Sequence, residues 1–305
     1  MNGKQGPKAR PRKIGLALSG GGLRGLSHIG VLKALQDNAI PIDFIAGTSA
    51  GSIIAALHSC GYRPDEMQST AKSLSVSDLI KVKIPFSAMI KQGKKWLFGR
   101  KHRVLPPFPS GIIQGDRIEK YFSRFWLNRT VRDTAIPIAL TAVDLYSADT
   151  VFFLTPHPGM REILNARYYY NTSLSEAVRA SISIPGVFTP VKYRGMMLVD
   201  GAVKNNLPTD ILRHMGAERI IAIDLGYAGQ PDYEIQNVSD ILLRCIEIMN
   251  REVTLLKGEE YADILIRPQA YIGLSPSAEQ IDKCIKSGEE AVLAKIGEIR
   301  SLLTK

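Results

Sequence analysis

Ile14-Gly15-Leu16-Ala17-Leu18 runs directly into Ser19-Gly20-Gly21-Gly22-Leu23-Arg24-Gly25, and apolar residues then return at Ile29, Leu32 and Leu35. A short apolar run closed by glycines reads as a buried strand, and the recurrence that follows it has helical spacing. The pattern repeats at once. Ile42 to Ala46 is a second apolar run, Gly47-Thr48-Ser49-Ala50-Gly51 turns the chain, and Ile53-Ile54-Ala55-Ala56-Leu57 is again helix-like. Strand, glycine turn, helix, twice over, is the unit of an open, mostly parallel sheet with helices on its faces.

The alternation continues. Strands are expected at Ile136 to Val143, Val151 to Leu154, Met197 to Val199, Ile220 to Asp224 and Ile264 to Arg267, with helices near Leu174 to Ala180, Thr209 to Met215 and Val238 to Lys257. A last amphipathic helix from about Ala278 to Leu303 either covers the sheet or pairs with a second copy. The fold class is therefore α/β, a three-layer α/β/α sandwich. Residues 1–12 read as a disordered basic arm, 13–225 as the main α/β domain, and 226–305 as a helical segment on the same domain. Residues 76–115 break the alternation with Pro85, Pro106, Pro107 and Pro109 and the aromatics Phe86, Trp96, Phe98 and Phe108, and read as an insertion above the sheet.

A chain of 305 residues buries an ample core without staples. Its three cysteines, Cys60, Cys245 and Cys284, are far apart and form no C-x-x-C pair, which argues against a disulfide framework or a cysteine zinc site and favours a reducing, cytoplasmic setting. No apolar run reaches 18 residues, and the basic start leads into only five apolar residues, too few for a secretion signal. The net charge of +10 is concentrated. Residues 1–13 hold five Lys or Arg and residues 79–115 hold eight, with no acid in either, leaving 26 basic against 29 acidic residues elsewhere. Patches of this kind seek an anionic partner. No zinc-finger or RNP-like motif accompanies them, so nucleic acid is not the expected one.

Gly47-Thr48-Ser49-Ala50-Gly51 between an apolar strand and an apolar helix is the setting of a nucleophile elbow, in which a serine is exposed above the sheet at a helix N-terminus. Upstream, Gly20 to Gly25 ends the first strand and exposes consecutive N–H groups at the start of the first helix, a place for an anion. Two anions fit: the pyrophosphate of a dinucleotide, since Gly20-x-Gly22-x-x-Gly25 satisfies G-x-G-x-x-G, or the oxyanion formed when Ser49 attacks an ester. A dinucleotide also wants an acid at the far end of the second strand, whereas Asp43 lies at its beginning.

A serine needs a base. His28 and His58 fall in the first two helices, His102 in the insertion and His157 in a Pro-flanked loop. His214 has the chain order of a hydrolase triad but sits where a helix C-terminus favours a cationic ring for structural reasons. Asp200, at the end of the apolar Leu198-Val199-Asp200 before Gly201-Ala202, is either a turn cap or a general base held at the sheet edge.

Together, Gly20-Gly21-Gly22-Leu23-Arg24-Gly25, Gly47-Thr48-Ser49-Ala50-Gly51 and Asp200-Gly201-Ala202 resemble the three blocks of patatin-like phospholipases, serine lipid acyl hydrolases with a Ser-Asp dyad. Ala180-Ser181-Ile182-Ser183-Ile184-Pro185-Gly186-Val187-Phe188-Thr189-Pro190 and Asn206-Leu207-Pro208 are similar to that family too, and the likeness covers about residues 13–225. It implies Ser49 as nucleophile, Asp200 as general base and Gly21 and Gly22 as oxyanion donors, with Leu23 N–H and the Arg24 side chain as further contributors in the Gly20 to Gly25 turn. No metal or organic cofactor is implied. The expected activity is cleavage of lipid acyl esters. The expected partner is an anionic membrane touched peripherally through Lys81, Lys83, Lys91, Lys94, Lys95, Arg100, Lys101 and Arg103. A non-catalytic lipid-binding protein of the same fold and a dinucleotide enzyme are the alternatives.

Overall fold

The computed structural model describes residues 12–74, 111–113, 115–226, 238–273 and 275–304. The eight basic residues expected at a membrane, most of the expected insertion and residues 1–11 of the amino-terminal arm lie outside the described residues.

Five strands form the parallel heart of a nine-stranded sheet, in the spatial order β11 (Ile264–Ile266), β10 (Arg219–Ile223), β1 (Ile14–Leu18), β2 (Phe44–Thr48) and β4 (Ile138–Asp144). β5 (Thr150–Leu154) continues the sheet antiparallel to β4, and β6 (Ala166–Tyr169) follows parallel to β5. β8 (Val191–Tyr193) and β9 (Met196–Asp200) form a hairpin whose second strand runs antiparallel to β4. A separate parallel pair joins β3 (Gly111–Ile113) to β7 (Gly186–Phe188). Every residue of β1, β2, β4 and β5 is buried, as expected of strands covered on both faces.

The two faces differ in bulk. Ile14, Leu16, Leu18, Ile45, Leu140 and Ile223 point to one side, which is covered by α1 (Ser27–Asp37), α2 (Ala50–Ser59) and α5 (Leu174–Ser181). Ala17, Ala46, Ala139 and Ala222 point to the other, where the small side chains let Ile211, Leu212 and Met215 of α6 (Thr209–Met215) come close. Two further helices, α3 (Pro64–Ser73) and α4 (Asp116–Trp126), belong to the first side; α4 buries Ile118, Phe122 and Trp126 at helical spacing.

Sequence and structure differ in places. β2 is displaced two residues from its expected span because Asp43 is fixed ahead of it, its carboxylate accepting the Ile14 N–H at 2.7 Å, while Gly47 and Thr48 pair with Leu140 and Thr141. The expected last helix is two, α8 (Ala278–Leu293) and α9 (Ile296–Thr304). α8 crosses α1 of the same chain so closely that a Cβ on Gly30 would collide with Ile285 O and one on Gly288 with Ser27 O. α7 (Val238–Tyr261) buries Asn250 and Thr254 and exposes Ile241, Ile248, Met249 and Leu256. No described helix is long and apolar enough to cross a membrane.

Candidate active site

Two strands share one edge of β4. β2 pairs with its first half, ending with Thr48 opposite Thr141; β9 takes over at the next residue, with Asp200 opposite Ala142. β2 runs along β4 and β9 against it, so their carboxyl ends meet head-on. Ser49 follows one end, and Asp200 is the other. Residues 151 apart in the chain are thus brought together by register alone.

Ser49 adopts φ 53°, ψ −124°, a backbone conformation that costs a non-glycine residue of order 1–3 kcal/mol and persists where the surroundings impose it. The turn is tight enough to need its glycines: a Cβ on Gly47 would strike Gly51 O, and one on Gly51 would strike Leu18 O. Thr48 Oγ1 donates to Asn205 O at 2.9 Å, and Ala50 opens α2. Ser49 is 5 % exposed.

Asp200 is buried, and its N–H donates to Ser183 O at 2.9 Å. Its Oδ1 accepts the Ala202 N–H at 2.8 Å, capping the 3₁₀ turn Gly201–Val203, while Oδ2 has no hydrogen-bond partner. The turn cap thus uses one oxygen of the carboxylate and leaves the other unpaired. Burial pushes the Asp200 carboxyl up to about 7, and the Ser49 hydroxyl beside it and the Ala202 N–H oppose that rise. The Ser49 hydroxyl is near enough to the carboxylate to oppose that rise, yet Oδ2 receives no hydrogen bond of good geometry.

The glycine turn lies against the elbow. A Cβ on Gly20 would come within 3.0 Å of Ser49 Cβ, and one on Gly25 would meet Ala50 Cβ. Its N–H groups divide into two sets. Gly20 N–H is committed to Asn206, at 3.1 Å from Oδ1 and 3.3 Å from O, so it is not a free oxyanion donor; Arg24 N–H bonds Gly21 O at 3.2 Å. Among the described residues, Gly21, Gly22 and Leu23 N–H have no acceptor. The Arg24 side chain is turned to Gly21 O (3.4 Å) and Glu247 (4.0 Å).

None of the four described histidines bonds Ser49 or Asp200. His214 Nδ1–H donates to Arg161 O at 2.9 Å, at the amino edge of the sheet. His28 is fully buried, held neutral with its pKa near 4 by burial, and donates Nε2–H to Ser19 O at 2.9 Å. Asp43 also lies at the amino edge, against Ile14, away from where a ribose would sit. No cluster of His, Cys, Asp or Glu suited to a metal ion occurs among the described residues.

Two contributors had no role assigned from sequence. Asn206 was visible only as part of a similar segment, and Ser181, whose Oγ accepts the Ser49 N–H at 3.0 Å, looks in sequence like any serine closing a helix.

This arrangement joins a strained strand-to-helix serine, an adjoining glycine turn and an Asp-Gly strand end. The sequence model of the patatin-like phospholipase family matches residues 16–213, and the chain belongs to that family of carboxylic ester hydrolases. Among relatives, it is 32 % identical over 218 residues to lysophospholipase NTE1 of Yarrowia lipolytica, covering 70 % of this chain and 13 % of that one. It is 30 % identical over 227 residues to human patatin-like phospholipase domain-containing protein 6, covering 72 % of this chain and 14 % of the relative. The match to neuropathy target esterase sws of Drosophila melanogaster is 30 % over 233 residues, covering 75 % of this chain and 14 % of the relative. The chain thus spans only a small part of these much longer proteins. The crystal structure of VipD from Legionella pneumophila has the same fold, with a TM-score of 0.55 at 14 % identity over 95 % of this chain and 67 % of that one.

Proposed function

We propose that the chain hydrolyses acyl esters of lipids, of the phospholipase A or lysophospholipase type, through Ser49 and Asp200. The observation that carries the reading is a buried carboxylate with one oxygen unpaired and the hydroxyl of a strained strand-to-helix serine beside it. Asp200 Oδ2 takes the proton as Ser49 Oγ bonds to the acyl carbon. The carbonyl oxygen, now negative, is met by the unpaired N–H groups of Gly21, Gly22 and Leu23; one well-placed donor is worth roughly 2.7–4 kcal/mol in the transition state. Collapse breaks the ester C–O bond, and the leaving oxygen takes the proton back from Asp200. Water then attacks the acyl-serine while Asp200 accepts its proton, and the fatty acid leaves as Ser49 is regenerated.

A pKa near 7 suits this work, because a base is most effective when its pKa lies close to the operating pH. Peripheral contact with anionic lipid through the basic residues between 81 and 103 belongs to the same proposal, at about 1 kcal/mol for each charge near the surface. The test is release of fatty acid from a lysophospholipid by the wild type and by Ser49→Ala. Turnover by the former alone supports the reading; equal turnover, or none by either, rejects it.

A further inference from the structure

The end of α5 touches the backbone of both Ser49 and Asp200. Ser181 Oγ, with no exposed surface, accepts the Ser49 N–H at 3.0 Å, and two residues later Ser183 O accepts the Asp200 N–H at 2.9 Å. This stretch is itself anchored. Arg179, 4 % exposed, donates to Ser183 Oγ at 2.6 Å and to Thr189 O at 2.9 Å, and Ser183 Oγ donates to Arg179 O at 2.7 Å. One short, buried segment therefore spans from the backbone of the elbow to the backbone of the carboxylate.

The Ser49 N–H has need of that acceptor. Ser49 is the N-cap of α2, so its N–H lies outside the helix and has no intrahelical partner. On its other side, Ser49 O accepts from Ser52 N (2.8 Å) and Ser52 Oγ (2.6 Å). The strained residue is thus gripped at both main-chain polar groups, and the side-chain oxygen is what remains to move. Without Ser181 Oγ the grip on the amino side is lost, and the φ of 53° has one restraint fewer.

We propose that Ser181 is a positioning residue: it acts through the Ser49 main chain, sets the distance from Ser49 Oγ to Asp200, and touches no substrate. This rests on the reading of Ser49 and Asp200 as nucleophile and base. Asp200 keeps its own contacts with Ser183 O and Ala202 N–H, so loss of Ser181 Oγ acts on the geometry of proton transfer, and any loosening of the Ser49 hydroxyl from the carboxylate raises the pKa of the base rather than lowering it.

The experiment compares wild type, Ser181→Ala and Ser181→Cys on a short-chain p-nitrophenyl ester, per phosphonate-titrated site, well below the melting temperature and across pH 5 to 9. Misplacement by about 1 Å can cost on the order of 100-fold. The alanine variant is expected to lose about tenfold to 100-fold in kcat, with KM unchanged and the pH midpoint at or slightly above that of wild type. Ser181→Cys, near-isosteric with a weaker acceptor, is expected to lose several-fold and carries the test if the alanine variant does not fold. Variants within twofold of wild type, or a loss confined to KM, overturn the inference while the Ser49 reading stands. A wild type without turnover overturns both.

Discussion

Thr48 and Asp200 face consecutive residues of one strand, Thr141 and Ala142, so two strands running in opposite directions end against each other at Ser49. The proposed chemistry depends on this collinearity. It places a carboxylate beside the elbow with none of the described histidines bonded to either, and burial at the strand junction, rather than a neighbouring charge, raises the basicity of the carboxylate.

Ser49→Ala is expected to lower kcat by four orders of magnitude or more, on the order of what removal of a serine nucleophile costs elsewhere. Asp200→Asn is expected to lose about 10²–10⁴-fold, the range for general-base catalysis, because an amide cannot take the proton. Circular dichroism and melting checks that both variants remain folded.

The pH dependence has two signs. Deprotonated Asp200 is the active form, so kcat/KM is expected to rise about tenfold per pH unit below 7 and to level off above it. Stability runs the other way. With a folded pKa near 7 against 3.8 unfolded, the native chain holds the extra proton between these values, so this group's contribution declines as pH rises through that window. Denaturant titrations at pH 5 and pH 8 should show a smaller loss in Asp200→Asn than in wild type.

His214→Ala is expected to retain activity within about twofold and to lose about 1 kcal/mol of stability with its bond to Arg161 O. Loss of activity without loss of fold would bring a histidine into the mechanism.

The contact between α1 and α8 makes a pair of opposite stability predictions. Gly288→Ala drives a methyl group into Ser27 O and should destabilise by about 1–3 kcal/mol. Gly297→Ala, in α9 with open space around it, should be neutral or stabilise by up to about 1 kcal/mol. Thermal melts of the two variants check both.

The first two strand-turn-helix units were legible because short apolar runs stopped by glycines leave little else to read, and the elbow and the Asp-Gly strand end came with them. The meeting of Ser49 and Asp200 was not derivable from the residues alone, since β9 joins the β4 edge antiparallel and nothing in Met196–Asp200 marks its direction. Strands of three residues such as β7 and β8 are too short for periodicity to show. The break between α8 and α9 falls at Ala294 and Lys295, two good helix formers, where neither glycine nor proline signals a stop. Ser181 was hidden because its partner is a main-chain N–H 132 residues away, which leaves no mark on local pattern.

The central claim is that the Ser49 hydroxyl is the nucleophile activated by Asp200. Intact-mass and peptide mapping after fluorophosphonate treatment tests it most directly. The expected result is one adduct per wild-type chain, on the peptide carrying Ser49, none on Ser49→Ala, and a labelling rate in Asp200→Asn at least tenfold slower, within the range for loss of a general base. An adduct that persists in Ser49→Ala, or wild-type labelling unaffected by Asp200→Asn, would contradict it.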